Sequence, residues 1–231
     1  GRIETLPGAA GGVRYLPVLH PDAIRETVLD LCRRLSDPQR ILPGGFLYMS
    51  DLVSSPPLLA RIGEIFFTRF HPLKPDAVVT VETRGIPIAL MVARALNVPL
   101  AIVRRVTRLS EGSVVTMNYL SGSARRIETM SLSRRALEAG ARVLVVDDFM
   151  KAGGTARGLV DLVAEFGAQV VGVGVLVETA EPQQKLVKDY VSLAVLERVE
   201  EEARRVVVRP SRWVMEGEVG VTQPEPSRHG G

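Results

Sequence analysis

Apolar residues recur at helical spacing early in the chain. Ile24, Val28, Leu31 and Leu35 fall on one face, and Ser36-Asp37-Pro38 ends the run because proline disfavours an α conformation in the residue before it. A second stripe, Leu58, Leu59, Ile62, Ile65 and Phe66, predicts an amphipathic helix over residues 56–70. Beyond it, residues 77–81, 100–103, 143–146 and 170–177 are short apolar runs, with helical patterns at 86–96 and 159–166. That alternation predicts βαβ units and an α/β fold with a central, mostly parallel sheet covered on both faces. Two segments stand apart. Residues 3–6 and 13–16 flank a Gly-rich link and read as a hairpin, which is marginal alone and must dock on something. Residues 114–120 and 127–132 flank a polar tip with Arg125 and Arg126, the form of a lid or binding loop.

Composition narrows the class. At 231 residues, 46% apolar and 24% charged, the chain is a globular domain with at most a small appendage, and a disordered chain, a collagen-like repeat and a disulfide-stapled miniature are excluded. A single cysteine, Cys32, makes neither an internal disulfide nor a zinc cluster, so a cytoplasmic protein is expected. The longest apolar run is far short of the roughly 18–20 residues of a membrane span, and no membrane partner is expected. The 29 basic and 26 acidic side chains are spread along the chain, so charge alone does not identify a nucleic-acid binder. The chain starts at Gly1 without a methionine and reads as a trimmed piece, and residues 214–231, rich in glycine and proline, are expected to form a flexible tail.

Residues 143–155, VLVVDDFMKAGGT, carry the most chemistry. A buried strand runs into two carboxylates, Asp147 and Asp148, and a Gly-Gly-Thr turn opens the next helix. In an open α/β sheet, ligands sit outside the carboxyl ends of the strands. The amides of Ala152, Gly153, Gly154 and Thr155 at a helix start suit a phosphate, and the acids suit the vicinal hydroxyls of a sugar. The bland alternative is that the acids cap a helix and the glycines make a turn. The run resembles the phosphoribosyl-pyrophosphate signature of type I phosphoribosyltransferases, departing from the enzymes at Phe149 and Lys151. Thr83, Arg84 and Gly85, at a second strand-to-helix turn, resemble that family's pyrophosphate loop, although Arg84 also reads as a solvated surface cation. The excursion from Arg104 to Arg135 occupies the place of the family's lid, with Arg104 and Arg105 in reach of a diphosphate.

Longer stretches resemble one branch of the superfamily, the bacterial purine operon repressors: PGAAGGVRY at 7–15, RILPGG at 40–45, EGSVVTMNYLSG at 111–122, RIETMSL at 126–132 and DDFMKAGGT at 147–155. Phe149 and Lys151 belong to this branch's version of the signature. The resemblance implies an N-terminal winged-helix DNA-binding domain, of which residues 1–17 would be the wing remnant, joined to a phosphoribosyltransferase-like effector domain over 18–213. It also implies a homodimer, an operator DNA partner reached through the helix-turn-helix not contained here, and non-catalytic binding of 5-phosphoribosyl 1-pyrophosphate (PRPP) as inducer, with Mg2+ accompanying it. The implied binding residues are Asp147, Asp148, Phe149, Met150, Lys151, Ala152, Gly153, Gly154, Thr155, Thr83, Arg84, Gly85, Arg104, Arg105 and Tyr119. Arg2 and Arg14 would face DNA, no protein ligand for a metal is assigned, and no residue is implied as catalytic. An active purine phosphoribosyltransferase would carry the same signature, and a purely structural module would bind no ligand. The three histidines, His20, His71 and His229, are isolated, which argues against metal hydrolysis.

Overall fold

The computed structural model describes residues 2–6, 8, 11–106, 112–120 and 127–218. The chain opens with an antiparallel ribbon, β1 Arg2–Leu6 and β2 Gly12–Leu16, in which Arg2 lies opposite Leu16 and Glu4 opposite Arg14. Helix α1 Pro21–Leu35 follows, its first turn entered through proline and its last turn carrying Arg33 and Arg34. A two-residue hairpin, β3 Ile41–Leu42 and β4 Phe46–Leu47, leads to α2 Pro56–Phe70. Then come β5 Ala77–Val81, α3 Gly85–Leu96 and β6 Leu100–Val103. The excursion forms an antiparallel pair, β7 Val114–Leu120 and β8 Ile127–Ser133, with its polar tip outside the described residues. The rest is β9 Arg142–Met150, α4 Gly154–Glu165, β10 Gln169–Thr179, β11 Val191–Glu200, β12 Arg205–Pro210 and α5 Arg212–Glu216.

The main sheet has six strands in the order β12-β11-β10-β9-β5-β6, parallel except for β12. Consecutive residues of β5 and β9 serve opposite layers, because side chains alternate across a strand. Val78, Leu144 and Val146 pack in the layer built with α1, α2 and α3. Val79, Val81, Val143 and Val145 pack in the layer of α4 and the β7–β8 pair. Both faces are covered, which is why these strands read as continuous apolar runs. No helix among the described residues is long and apolar enough to cross a membrane.

Three elements differ from the sequence reading. Strand β9 continues through the two acids to Met150 rather than ending before them. Strands β11 and β12 were not anticipated and complete the sheet on its far side. Order also persists past Met215: α5 reaches Glu216, Trp213 Nε1 donates to Ser192 O at 2.7 Å, and Arg69 donates to Glu218 O at 2.7 Å from a guanidinium set over the Trp213 ring. The expected flexible tail otherwise falls at residues 219–231, outside the described residues.

The β7–β8 pair is seated on α4 at Gly158. A Cβ there would lie 2.8 Å from Met130 Cε and 2.9 Å from Tyr119 Cβ. Gly158→Ala gains up to about 1 kcal/mol of helix propensity, but the Tyr119 Cβ is close to its backbone and cannot swing away. Overpacking of about 1–3 kcal/mol therefore prevails, and urea denaturation should show a net loss of stability. Equal or greater stability would mean that the pair is not seated on this helix.

Candidate functional site

The cleft opens at the carboxyl ends of β5 and β9, where the sheet changes direction: β6 lies on one side of this pair, β10 and β11 on the other. Loops leaving neighbouring strands in opposite directions leave a crevice between them. It encloses about 780 Å³ and is lined by Thr83, Arg84, Arg105 and the whole run from Asp147 to Thr155.

Asp147 and Asp148 form its floor and are only 6% and 8% exposed. Asp147 Oδ1 accepts the Asp148 backbone N–H at 2.9 Å. Burial, and then the neighbouring charge of Asp148, push the Asp147 carboxyl well above the usual carboxylate range. Helix α3 starts directly against this group. A Cβ on Gly85 would lie 2.4 Å from Thr80 Oγ1 and 2.8 Å from Asp147 Oδ1, so any larger residue would push the carboxylate out of place. Arg84 Nε stands 2.9 Å from Asp148 Oδ2. The distance makes an ion pair, but the N–H is not aimed at the oxygen, and Oδ2 remains a buried acceptor with no hydrogen-bond donor.

Between β9 and α4, Gly153 takes a left-handed conformation, φ 83°, that favours glycine, and its missing side chain admits Leu186 N to 3.1 Å of where a Cβ would sit. Leu186 N also donates to Ala152 O at 2.9 Å, so the segment after β10 backs this turn. The first N–H groups of α4 have no partner within the helix and carry the positive end of its dipole toward the cleft. The opposite turn, with a cis Glu82–Thr83 peptide, is held by Glu82, which accepts Arg105 N–H at 2.6 Å and pairs with Arg104 at 3.3 Å.

Three expected contact residues do not line the cleft. Gly85 packs beneath it, Arg104 bridges Ser131 of β8 while pairing with Glu82, and Tyr119 is buried under the hairpin. The ribbon contributes no lining residue among those described: Arg2 is not in the cleft wall, and the Arg14 side chain lies outside what the structure describes. Arg125 and Arg126 lie outside the described residues. The sequence reading missed one wall, Leu42, Gly44, Gly45, Phe46, Leu47 and Met49. Phe46, 68% exposed, presents an aromatic ring there. Its signal was an apolar pair on each side of Pro43-Gly44-Gly45, partly inside the RILPGG stretch. Among the described residues, no three His, Cys, Asp or Glu side chains converge as a metal cage.

A model of the phosphoribosyl transferase domain matches residues 49–211. The chain is 44% identical to the purine biosynthesis transcriptional repressor PurR of Bacillus subtilis, over 93% of this chain and 75% of that protein. It belongs to the phosphoribosyltransferase family, on the branch of the purine biosynthesis regulators. A purine biosynthesis transcriptional activator of Lactococcus lactis is 41% identical over 90% of this chain and 77% of its own length. A xanthine phosphoribosyltransferase of Deinococcus deserti is 38% identical over 61% of this chain and 75% of its own. Among solved structures, adenine phosphoribosyltransferase from Rhodothermus marinus superposes with a TM-score of 0.60 at 25% identity, covering 72% of this chain and 97% of that one. The fold is the type I phosphoribosyltransferase fold.

The raised Asp147 carboxyl has a consequence for stability. Between the ordinary carboxylate value of 3.8 and its raised one, the folded protein holds a proton that the unfolded chain has released, so stability falls as pH rises through that window. Asp147→Asn keeps the Oδ1 acceptor and cannot ionise. Its melting temperature should exceed that of the parent protein by a margin that widens as pH rises above about 4. A margin independent of pH would show that Asp147 carries no such burden.

Proposed function

We propose that this chain is the effector-binding part of a purine biosynthesis repressor and that its cleft takes PRPP with a magnesium ion. The observation that carries the reading is the buried pair Asp147 and Asp148 beside the Gly153–Gly154 turn, at the point where the sheet changes direction. A sugar hydroxyl would complete the buried Asp148 Oδ2, which otherwise lacks a donor. The α4 amides would receive the 5-phosphate, and Arg84 and Arg105, both in the cleft wall, would receive the diphosphate as planar, two-pronged donors. Bound magnesium neutralises diphosphate charge. With no convergent protein cage among the described residues, its ligands would be diphosphate and ribose oxygens and water, close to the two acids.

In this reading the ligand is an inducer. It lowers the affinity of a homodimer for operator DNA, which is held through an upstream winged helix, and DNA lowers ligand affinity by the same factor. Repression is the sense named for the B. subtilis relative, and the names of both regulators support purine genes as the target. A second reading, an active purine phosphoribosyltransferase, draws on the xanthine phosphoribosyltransferase relative and on the exposed Phe46 ring, against which a base could stack.

Ligand binding is tested by calorimetry and thermal melts with PRPP and magnesium. At a hundredfold excess over the dissociation constant, about 3 kcal/mol of added stability is expected, and Asp147→Ala with Asp148→Ala should abolish both heat and shift while the fold still melts cooperatively. An unchanged affinity in the double variant would refute the ribose contact. Incubation with PRPP, magnesium and each purine base should release no pyrophosphate, and turnover at an ordinary enzymic rate, about 1 per second or faster, would favour the transferase.

A further inference from the structure

Each arginine of the cleft and its border meets a carboxylate: Arg84 meets Asp148, Arg104 meets Glu82 and Arg105 meets Glu128. The third pair differs in kind. Asp148 and Glu82 belong to the rim of the main sheet, whereas Glu128 comes from β8 of the excursion and is a residue to which the binding reading gives no role. The Arg105 guanidinium donates to Glu128 and to the Tyr119 hydroxyl, and that hydroxyl donates to Glu128 Oε2 at 2.6 Å. Burial first, and then the Glu128 acceptor, push the Tyr119 phenol up, so it stays protonated and remains the donor. The Tyr119 ring rests on Gly158 of α4. One knot thus joins both strands of the excursion, helix α4 and a cleft arginine.

We propose that Glu128 is an internal competitor for the ligand's phosphates: it holds Arg105 while the cleft is empty and yields it to a diphosphate, setting the threshold for the effector. The inference rests on the phosphoribosyl reading and specifies how the same site is regulated. A diphosphate carries more charge than one carboxylate and offers oxygens at the spacing of the guanidinium fork. The resident pair is partly open to water, with Arg105 41% and Glu128 33% exposed in their side chains, and ion pairs that exposed are weak enough to exchange. Once exchanged, Glu128 stands beside added negative charge and is repelled.

The test is Glu128→Gln, which keeps size and hydrogen bonding but removes the charge. Calorimetric titration with PRPP and magnesium, and separately with inorganic pyrophosphate, should show binding about three- to tenfold tighter than the parent. A merely structural residue would show a loss instead. Adding Arg105→Gln should erase the gain, because the contest for this guanidinium is then gone. An affinity unchanged or weakened in Glu128→Gln, with the parent still binding PRPP, overturns this proposal and leaves the ligand assignment standing. A parent that binds neither PRPP nor pyrophosphate overturns both.

Discussion

Asp147 and Asp148 are adjacent carboxylates on a strand whose preceding four residues, 143–146, have no exposure at all. Charge in such a place is disfavoured by loss of water and again by the like charge next door. The immediate surroundings follow from answering that cost. One amide turns onto Asp147, a guanidinium stands by Asp148, and α3 begins with a glycine because the space beside Asp147 admits nothing larger. The answer is incomplete: Thr80 Oγ1 and Asp148 Oδ2 stay buried without hydrogen-bond partners. A chain under pressure for stability alone would place apolar residues here, as it does along the rest of β9. Acids kept at a cost, beside unfilled acceptors and at a crevice, are the features on which the proposed ligand site rests.

Much of this was legible because it is local. Strand, acids, glycines and helix follow one another over residues 143–155, so one stretch of sequence contains the floor of the cleft and its phosphate turn. The helical stripes were equally plain, and α2 and α3 begin and end within a residue of where the periodicity puts them. What was illegible depends on distant segments meeting. The β3–β4 wall is two residues against two, too short to show a period. The burial of the Tyr119 ring follows from the excursion lying on α4 with Gly158 as its seat, a meeting of segments that no local pattern announces. Strand β12 carries a β-branched run, Val206–Val208, and β11 a mixed apolar one, Leu193–Leu196. They were overlooked because attention followed the alternation of strand and helix, and a strand pair returning antiparallel breaks that rhythm.

The pairing of cleft arginines with acids bears on what such a site is suited to do. A transferase profits from cations already free and aimed where charge develops, because preorganised groups need no rearrangement at the moment of reaction. Here Arg84, Arg104 and Arg105 all have carboxylate partners, so a polyanion entering the cleft would compete with those pairs for the guanidinium groups. Exchange weakens binding and makes the cleft a slower place for chemistry. It also supplies what a sensor requires, since a ligand moves a protein only through contacts that differ between two arrangements of it. Two of the pairs lie within the rim of the sheet and have little room to respond, because Asp148 is carried by β9 and Glu82, directly after β5, is tied by its N–H to Val103 O. The third spans two separately built elements, and its rearrangement is the one that the fold can transmit beyond the cleft.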